Sequence, residues 1–316
     1  MGNEEAYAVG HHPDDPEDAM PERRDSARRA FSALAVVGVL ALTGLLVAFA
    51  GVSSQPVTAR EFLGSPRDPG QAAFVAAHRG DSESAPENTL PAVAAAVEAG
   101  VEYVEVDAAL TADGHVVLMH DATVDRTTNG TGRLNEMTLA EVGELDAGGW
   151  FSADFAGTPV PTLEQLLDLV AASDTRVLAE LKGEWDAAGA RAFTDTVEER
   201  GLERRVAAAS FDARTLALIE AESTVLSRLA ILSALPDDVA DTARALGVRG
   251  IIVSGREILA RPGAVDELNA HGIRVIVYTF NDDSSWQGAI DAGVEGIVTD
   301  TPAELSGWLA RGDASP

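Results

Sequence analysis

No cysteine occurs anywhere in the 316-residue chain, which excludes disulfides, thiolate metal sites and cysteine nucleophiles at once. It does not exclude a location outside the cytoplasm, because a chain of this length can build a core without covalent staples. Basic residues are scarce too: 23 Lys and Arg stand against 51 Asp and Glu, a formal net charge of −28. A polynucleotide backbone is held by clustered cations, so nucleic acid is not the expected partner. For the same reason, a phosphate site in this chain must be made locally cationic by a metal ion or a few placed basic groups.

Apolar residues, by contrast, make up 46% of the chain. Residues 1–29, rich in Glu, Asp, Pro and Arg, show no apolar periodicity and read as a disordered tail. Residues 30–52, AFSALAVVGVLALTGLLVAFAGV, carry no charge. As a helix they would span about 34 Å, against a hydrocarbon core of about 30 Å. Arg23, Arg24, Arg28 and Arg29 lie just before this run, and the next basic residue is Arg60. The positive-inside rule then predicts a single-pass protein of the cell membrane, with a cytoplasmic N-terminus, everything after Val52 extracytoplasmic and the membrane as partner. Ala48-Phe49-Ala50 resembles a signal-peptidase site, and cleavage near Ala50 would instead yield a secreted domain. The length of the run and of the tail before it favours the uncleaved anchor. Residues 53–72 read as a linker, which leaves 73–312 for the main folded domain.

Within 73–312, short apolar runs alternate with amphipathic stretches. Strands are predicted at 74–77, 103–108, 116–120, 177–181, 206–210, 229–232, 250–253, 275–279 and 296–299. Helices are predicted at 89–99, 163–171, 187–200, 213–222, 237–246, 264–270, 284–292 and 303–310. Several helices end at a glycine, among them Gly100, Gly201 and Gly247, the expected stop before a returning parallel strand. With 116–120 taken as an elaboration of the second unit, the count favours an α/β fold, a (β/α)8 TIM barrel preceded by one N-terminal transmembrane helix. The long interruption at 121–162 follows a strand ending in His and reads as a substrate-facing insertion.

A barrel places its chemistry where strands end. There the sequence reads His78-Arg79-Gly80, Glu105-Val106-Asp107, His120-Asp121, Glu180-Leu181-Lys182, Ser210-Phe211, Tyr278-Thr279 and Thr299-Asp300. Residues i and i+2 of a strand share a face, so Glu105 and Asp107 point together, as do Glu180 and Lys182. Three carboxylates converging on one mouth repel unless a cation lies among them, and an all-oxygen donor set suits one divalent metal, Ca2+ or Mg2+. His78 and His120 are the candidate proton carriers, one to accept a proton and the other to donate one. Arg79 and Lys182 would neutralise the non-bridging oxygens of a phosphate.

These blocks, together with Pro86-Glu87-Asn88-Thr89, Asp113-Gly114, Asp125-Arg126-Thr127-Thr128 and Thr299-Asp300-Thr301-Pro302 in this order, resemble the glycerophosphodiester phosphodiesterase family. The resemblance covers roughly residues 74–309 and implies a TIM barrel with His78 and His120 as general acid and base. It implies Glu105, Asp107 and Glu180 as ligands of Ca2+ or Mg2+. Arg79, Glu87 and Lys182 would surround the phosphate, and Phe211 and Tyr278 would face the substrate. One departure is visible: Tyr278 stands before Thr279 where the family usually has Trp, which alters the substrate wall and leaves the chemistry intact. The implied reaction is hydrolysis of a small-molecule phosphodiester, a glycerophosphodiester, to sn-glycerol 3-phosphate and an alcohol. The competing readings are a lysophospholipase D acting on a lysophospholipid, a catalytically silent phosphoester-binding module and an enolase-like lyase using the same three carboxylates.

Overall fold

The computed structural model describes residues 56–312. Its first strands are β1 (Phe74–His78), β2 (Tyr103–Leu110) and β3 (Val116–Leu118), followed by β4 (Arg176–Leu181), β5 (Val206–Ser210) and β6 (Ser227–Leu232). The series ends with β7 (Gly250–Ser254), β8 (Arg274–Tyr278) and β9 (Gly296–Thr299). Parallel pairing runs β1-β2-β4-β5-β6-β7-β8-β9 and returns from β9 to β1, closing a barrel. β3 lies outside the cylinder, antiparallel to the far end of β2. The helices form the outer layer: α1 (Ala59–Leu63), α2 (Leu90–Glu98), α3 (Leu139–Val142), α4 (Leu163–Ala171), α5 (Ala187–Glu198) and α6 (Ala213–Glu222). After these come α7 (Val239–Ala245), α8 (Gly255–Ala260), α9 (Ala264–Ala270), α10 (Asp283–Asp291) and α11 (Pro302–Ala310).

The strands read as unbroken apolar runs because both of their faces are buried. Ala76, Tyr103, Leu178, Ala209, Ile231, Ile252, Ile276 and Val298 fill the cylinder. Their alternates, such as Val75, Val104, Ala179, Ala208, Val253 and Val275, pack outward against the helices. Helix starts follow local chemistry: Thr162 and Gln165 form a capping box at α4, and Asp186, Asp212 and Asp282 cap α5, α6 and α10.

The stretch expected to be a linker (53–72) is described from Pro56 onward, and there it closes the lower end of the barrel. Val57, Phe62 and Leu63 are buried in the cluster that fills the cylinder. Tyr103 donates its hydroxyl to the Phe62 carbonyl, and its ring lies 5.7 Å from that of Phe62 and 4.0 Å from that of Phe74. Arg274 donates to the Gly64 carbonyl at 2.6 Å. At the opposite end, the insertion builds a small core of its own from Val124, Leu134, Val142, Ala147 and Val160 against Val117 and Met119.

The expected transmembrane helix is corrected here. Among the described residues no helix is long and apolar enough to cross a membrane. The longest, α5, has 12 residues, about 18 Å where a span needs about 30 Å. Residues 1–29 and 30–52, on which the tail and the anchor were read, lie outside the described residues. An apolar run measures the cost of hydrating a segment, and by itself does not make that segment a membrane-crossing helix. The architecture that stands is a closed parallel barrel ringed by helices. The membrane as partner and the single-pass cell-membrane location, both drawn from that helix, fall with it.

Because Phe62 is 1% exposed inside the barrel floor, Phe62→Ala is expected to cost about 3–5 kcal/mol in urea denaturation. A loss below about 1 kcal/mol would show that α1 does not close the floor.

Candidate active site

Barrel closure assembles the site, because neighbouring strands end side by side. His78 is level with Glu105 across β1 and β2, Asp107 is level with Glu180 across β2 and β4, and Ala77 is level with Thr299 across β1 and β9. Asp300, the residue after β9, therefore stands beside His78. Their contact, Nδ1 to Oδ1, is 2.6 Å. Asn281 holds the second Asp300 oxygen at 2.6 Å. With Nδ1–H donated to Asp300, His78 Nε2 turns toward Glu105, 4.0 Å away. Burial works against a charged His78, but the Asp300 hydrogen bond and the Glu105 charge outweigh it and raise its pKa. The Asp300 carboxyl is held down at about 2 by the same contact, although burial opposes this.

The turn after β1 is left-handed at two successive residues, Arg79 (φ 57°) and Gly80 (φ 84°). Only glycine fits at the second, because a Cβ on Gly80 would lie 2.6 Å from the Ala92 backbone. Asn88 is also left-handed, at φ 55°, and its side chain brackets Asp107. It donates to the carboxylate at 2.8 Å and accepts the Asp107 N–H at 3.0 Å. Strained backbone at non-glycine residues is held only where neighbours enforce it. Here the enforcing contacts are the Arg79 N–H on Glu105 at 3.0 Å and the Asn88 N–H on the Arg79 carbonyl at 2.9 Å.

Glu105, Asp107 and Glu180 each present an oxygen within 4.8 Å of the others. Burial, then the charge of Asp107, pushes the Glu105 carboxyl up to about 8. Burial also raises Glu180, against the pull of Lys182. Carboxyl groups that resist ionising beside one another are short of positive charge. Lys182, 3.2 Å from Asp107 and 2.5 Å from Glu180, and Arg79, 3.3 Å from Asp107, supply part of it. The all-oxygen donor set fits a divalent cation, and the cluster can coordinate one.

His120 lies two residues beyond β3, and its Nδ1 is 2.6 Å from Asp121. Arg126 ties this side to the first: it donates to Asp121 at 2.6 Å and to both Glu87 oxygens at 2.8 and 2.7 Å. Glu87 in turn accepts from Arg79 at 2.7 Å. The Arg126 hydrogen bond, foremost among the causes, lowers Asp121 to about 2.

Sequence reasoning singled out ten site residues, and the fold gathers all of them at one mouth. His78, Arg79, Glu105, His120, Glu180, Lys182, Phe211 and Tyr278 line one cavity of about 260 Å³. Asp107 lies behind that wall, and so does Glu87, which grips the two arginines. Leu178, Ile231, Ile252 and Val298 form the apolar back of the cavity. Phe211, 53% exposed, stands at the rim with its ring 5.9 Å from Lys182 Nζ. Asp300, Asp121, Asn88, Arg126 and Asn281 stand at strand ends or in the family blocks of the sequence, where none of them was given a role as a partner. A signal existed for Asp300, because in a closed barrel the residue ending the last strand must neighbour the one ending the first. For Arg126 the block that holds it did not give the partner, since its reach back to Glu87 depends on how the insertion folds.

Imidazoles held by carboxylates beside an acid cluster able to bind a cation, at the mouth of a parallel barrel, are the arrangement of a candidate active site. Comparison with known proteins narrows the class. Residues 78–304 match the family model described as the glycerophosphoryl diester phosphodiesterase family, and the chain belongs to that family. It is a phosphoric diester hydrolase. A glycerophosphodiester phosphodiesterase of Caldanaerobacter subterraneus subsp. tengcongensis is 34% identical over 76% of this chain and 98% of its own. Among solved structures, an Oleispira antarctica phosphodiesterase in complex with the product sn-glycerol-3-phosphate superposes with TM-score 0.72 at 26% identity, covering 76% of this chain and 97% of that one. The glycerophosphodiester phosphodiesterase of Agrobacterium tumefaciens gives TM-score 0.65 at 30% identity, over 74% and 99%.

A carboxylate depressed to about 2 adds stability that is fully present above its unfolded pKa, near 3.9, and is lost as pH falls through about 2. Asp300→Asn is therefore expected to lower the melting temperature most above about pH 4, with the gap to wild type closing toward pH 2. Thermal melts across that range test this, and a gap independent of pH would contradict it.

Proposed function

We propose that this enzyme hydrolyses glycerophosphodiesters to sn-glycerol 3-phosphate and an alcohol, with His78 and His120 as the acid–base pair. The observation that carries the reading is the placing of two carboxylate-backed imidazoles on the wall of one cavity that also holds Glu105, Glu180, Arg79 and Lys182. The product bound in the Oleispira relative supports the same substrate class.

Glu105, Asp107 and Glu180 are the proposed ligands of one divalent ion, Ca2+ or Mg2+, both hard cations suited to carboxylate oxygen. Such an ion, when bound, supplies positive charge for the non-bridging phosphate oxygens. Arg79 and Lys182 bind and orient the phosphate from the cavity wall, with Glu87 holding the Arg79 fork in place. Phe211 and Tyr278 offer aromatic surface to the organic part of the substrate. The ring nitrogens facing the cavity move the protons. One takes a proton from the nucleophile, which is either water or a neighbouring hydroxyl of the substrate. The other gives a proton to the alcohol oxygen as its bond to phosphorus breaks. With water as nucleophile one P–O bond forms, one breaks, and the proton count balances across the two imidazoles. Asp300 and Asp121 fix the two rings through their Nδ1 atoms, and Asp300 also stabilises the charged form of His78.

His78→Ala and His120→Ala are each expected to lower kcat about 10²-fold or more, while calorimetry still detects binding of the divalent ion. Turnover near the wild-type level in either variant sinks the assignment. Chelation should abolish activity on glycerophosphocholine, and adding back Ca2+ or Mg2+ should restore it. Turnover that survives chelation, or that occurs with a lysophospholipid and not with glycerophosphocholine, overturns the reading in its metal or its substrate part.

A further inference from the structure

A second cleft, of about 320 Å³, opens beside the first, and His120 and Lys182 line both. A diester seated at those two residues has a substituent on each side of its phosphorus, and the two cavities offer one space to each. The first is backed by aliphatic side chains and is lined by Glu105 and Glu180 of the carboxylate cluster. The second is walled by the insertion on one side, through Arg133, Leu134 and Asn135, and by the loop after β4 on the other, through Glu184. Resting on the function proposed above, we infer that this second cleft receives the departing alcohol and that Glu184 selects alcohols carrying a positive charge, amino alcohols such as ethanolamine or choline.

Both walls are built to stay in place. Gly183 takes a left-handed turn (φ 74°) directly after Lys182. Trp185, 3% exposed, donates its indole N–H to the Lys182 carbonyl at 2.9 Å. Glu184 lies between these two fixed points. Opposite, Leu134 is 2% exposed, its N–H bonds the Ala122 carbonyl at 3.1 Å, and Arg133 bridges to Thr123. The charges of the cleft are otherwise engaged. Lys182 sits on Asp107 and Glu180, Asp121 on His120 and Arg126, and Arg133 faces Glu136 at 3.8 Å. The Glu184 carboxylate has no ion pair and no hydrogen bond among the described residues. Among the described residues Glu184 is thus the one charged side chain lining the cleft that has no ion-pair partner. Glu184 is solvent-exposed, so water and salt screen it, and the preference it confers is several-fold in size.

The test compares kcat/KM for glycerophosphoethanolamine and glycerophosphocholine with that for glycerophosphoglycerol, whose alcohol is neutral, with divalent ion present. The readout is the cationic-to-neutral ratio. In Glu184→Gln this ratio should fall about 3- to 5-fold, and in Glu184→Lys it should fall further. The wild-type ratio should also shrink as salt is raised from about 0.01 to about 1 M. A ratio unchanged in both variants overturns the cleft assignment while leaving the hydrolase reading intact. Failure of wild type to turn over any of the three diesters overturns the functional reading, and this inference with it.

Discussion

Closure of the parallel barrel is the constraint on which the remaining structure depends. The pairing of β9 with β1 sets Thr299 beside Ala77, and with that single junction Asp300 reaches His78. Parallel strands also share a direction, so every strand ends at the same rim, and polar residues from distant parts of the chain are forced into one small volume. Charge accumulates there because nothing in the apolar cylinder below can take it. The acid cluster, the two fixed cations and the carboxylate-backed imidazoles are the result, and the raised pKa of Glu105 is the mark of that crowding.

The lower end of the barrel shows the opposite solution. There the cylinder is shut by Phe62 and Leu63, and its buried charges are paired. Glu295, 0% exposed, lies between Arg67 and Arg274, each 3.1 Å away. A buried carboxylate between two arginines helps to hold a floor in position, whereas an acid cluster short of cations at the mouth remains able to bind something. Stability and function are thus divided between the two ends of one cylinder.

The insertion joins the two histidines mechanically. Arg126, carried on its first turn, grips Asp121 behind His120 and Glu87 beside Arg79, so the two halves of the site share one bidentate link. The same insertion contributes a wall of the second cleft. One segment therefore both ties the surroundings of His78 to those of His120 and walls the second cleft.

The sequence by itself determined the barrel and named ten candidate residues that the fold brings to one mouth. Hydrophobic periodicity reports burial on both strand faces, and strand ends report the functional rim. Residues i and i+2 must share a face, so Glu105 with Asp107, and Glu180 with Lys182, were legible from spacing alone. Tertiary structure alone decided the partners. Asp300 lies 222 residues from His78 and meets it only through closure, and Arg126 meets Glu87 only through the path of a loop with no periodic pattern to read. The membrane helix expected from residues 30–52 marks the other limit: hydropathy measures what a segment would lose in water, and pairing, closure and contact across the chain are settled only when the chain folds.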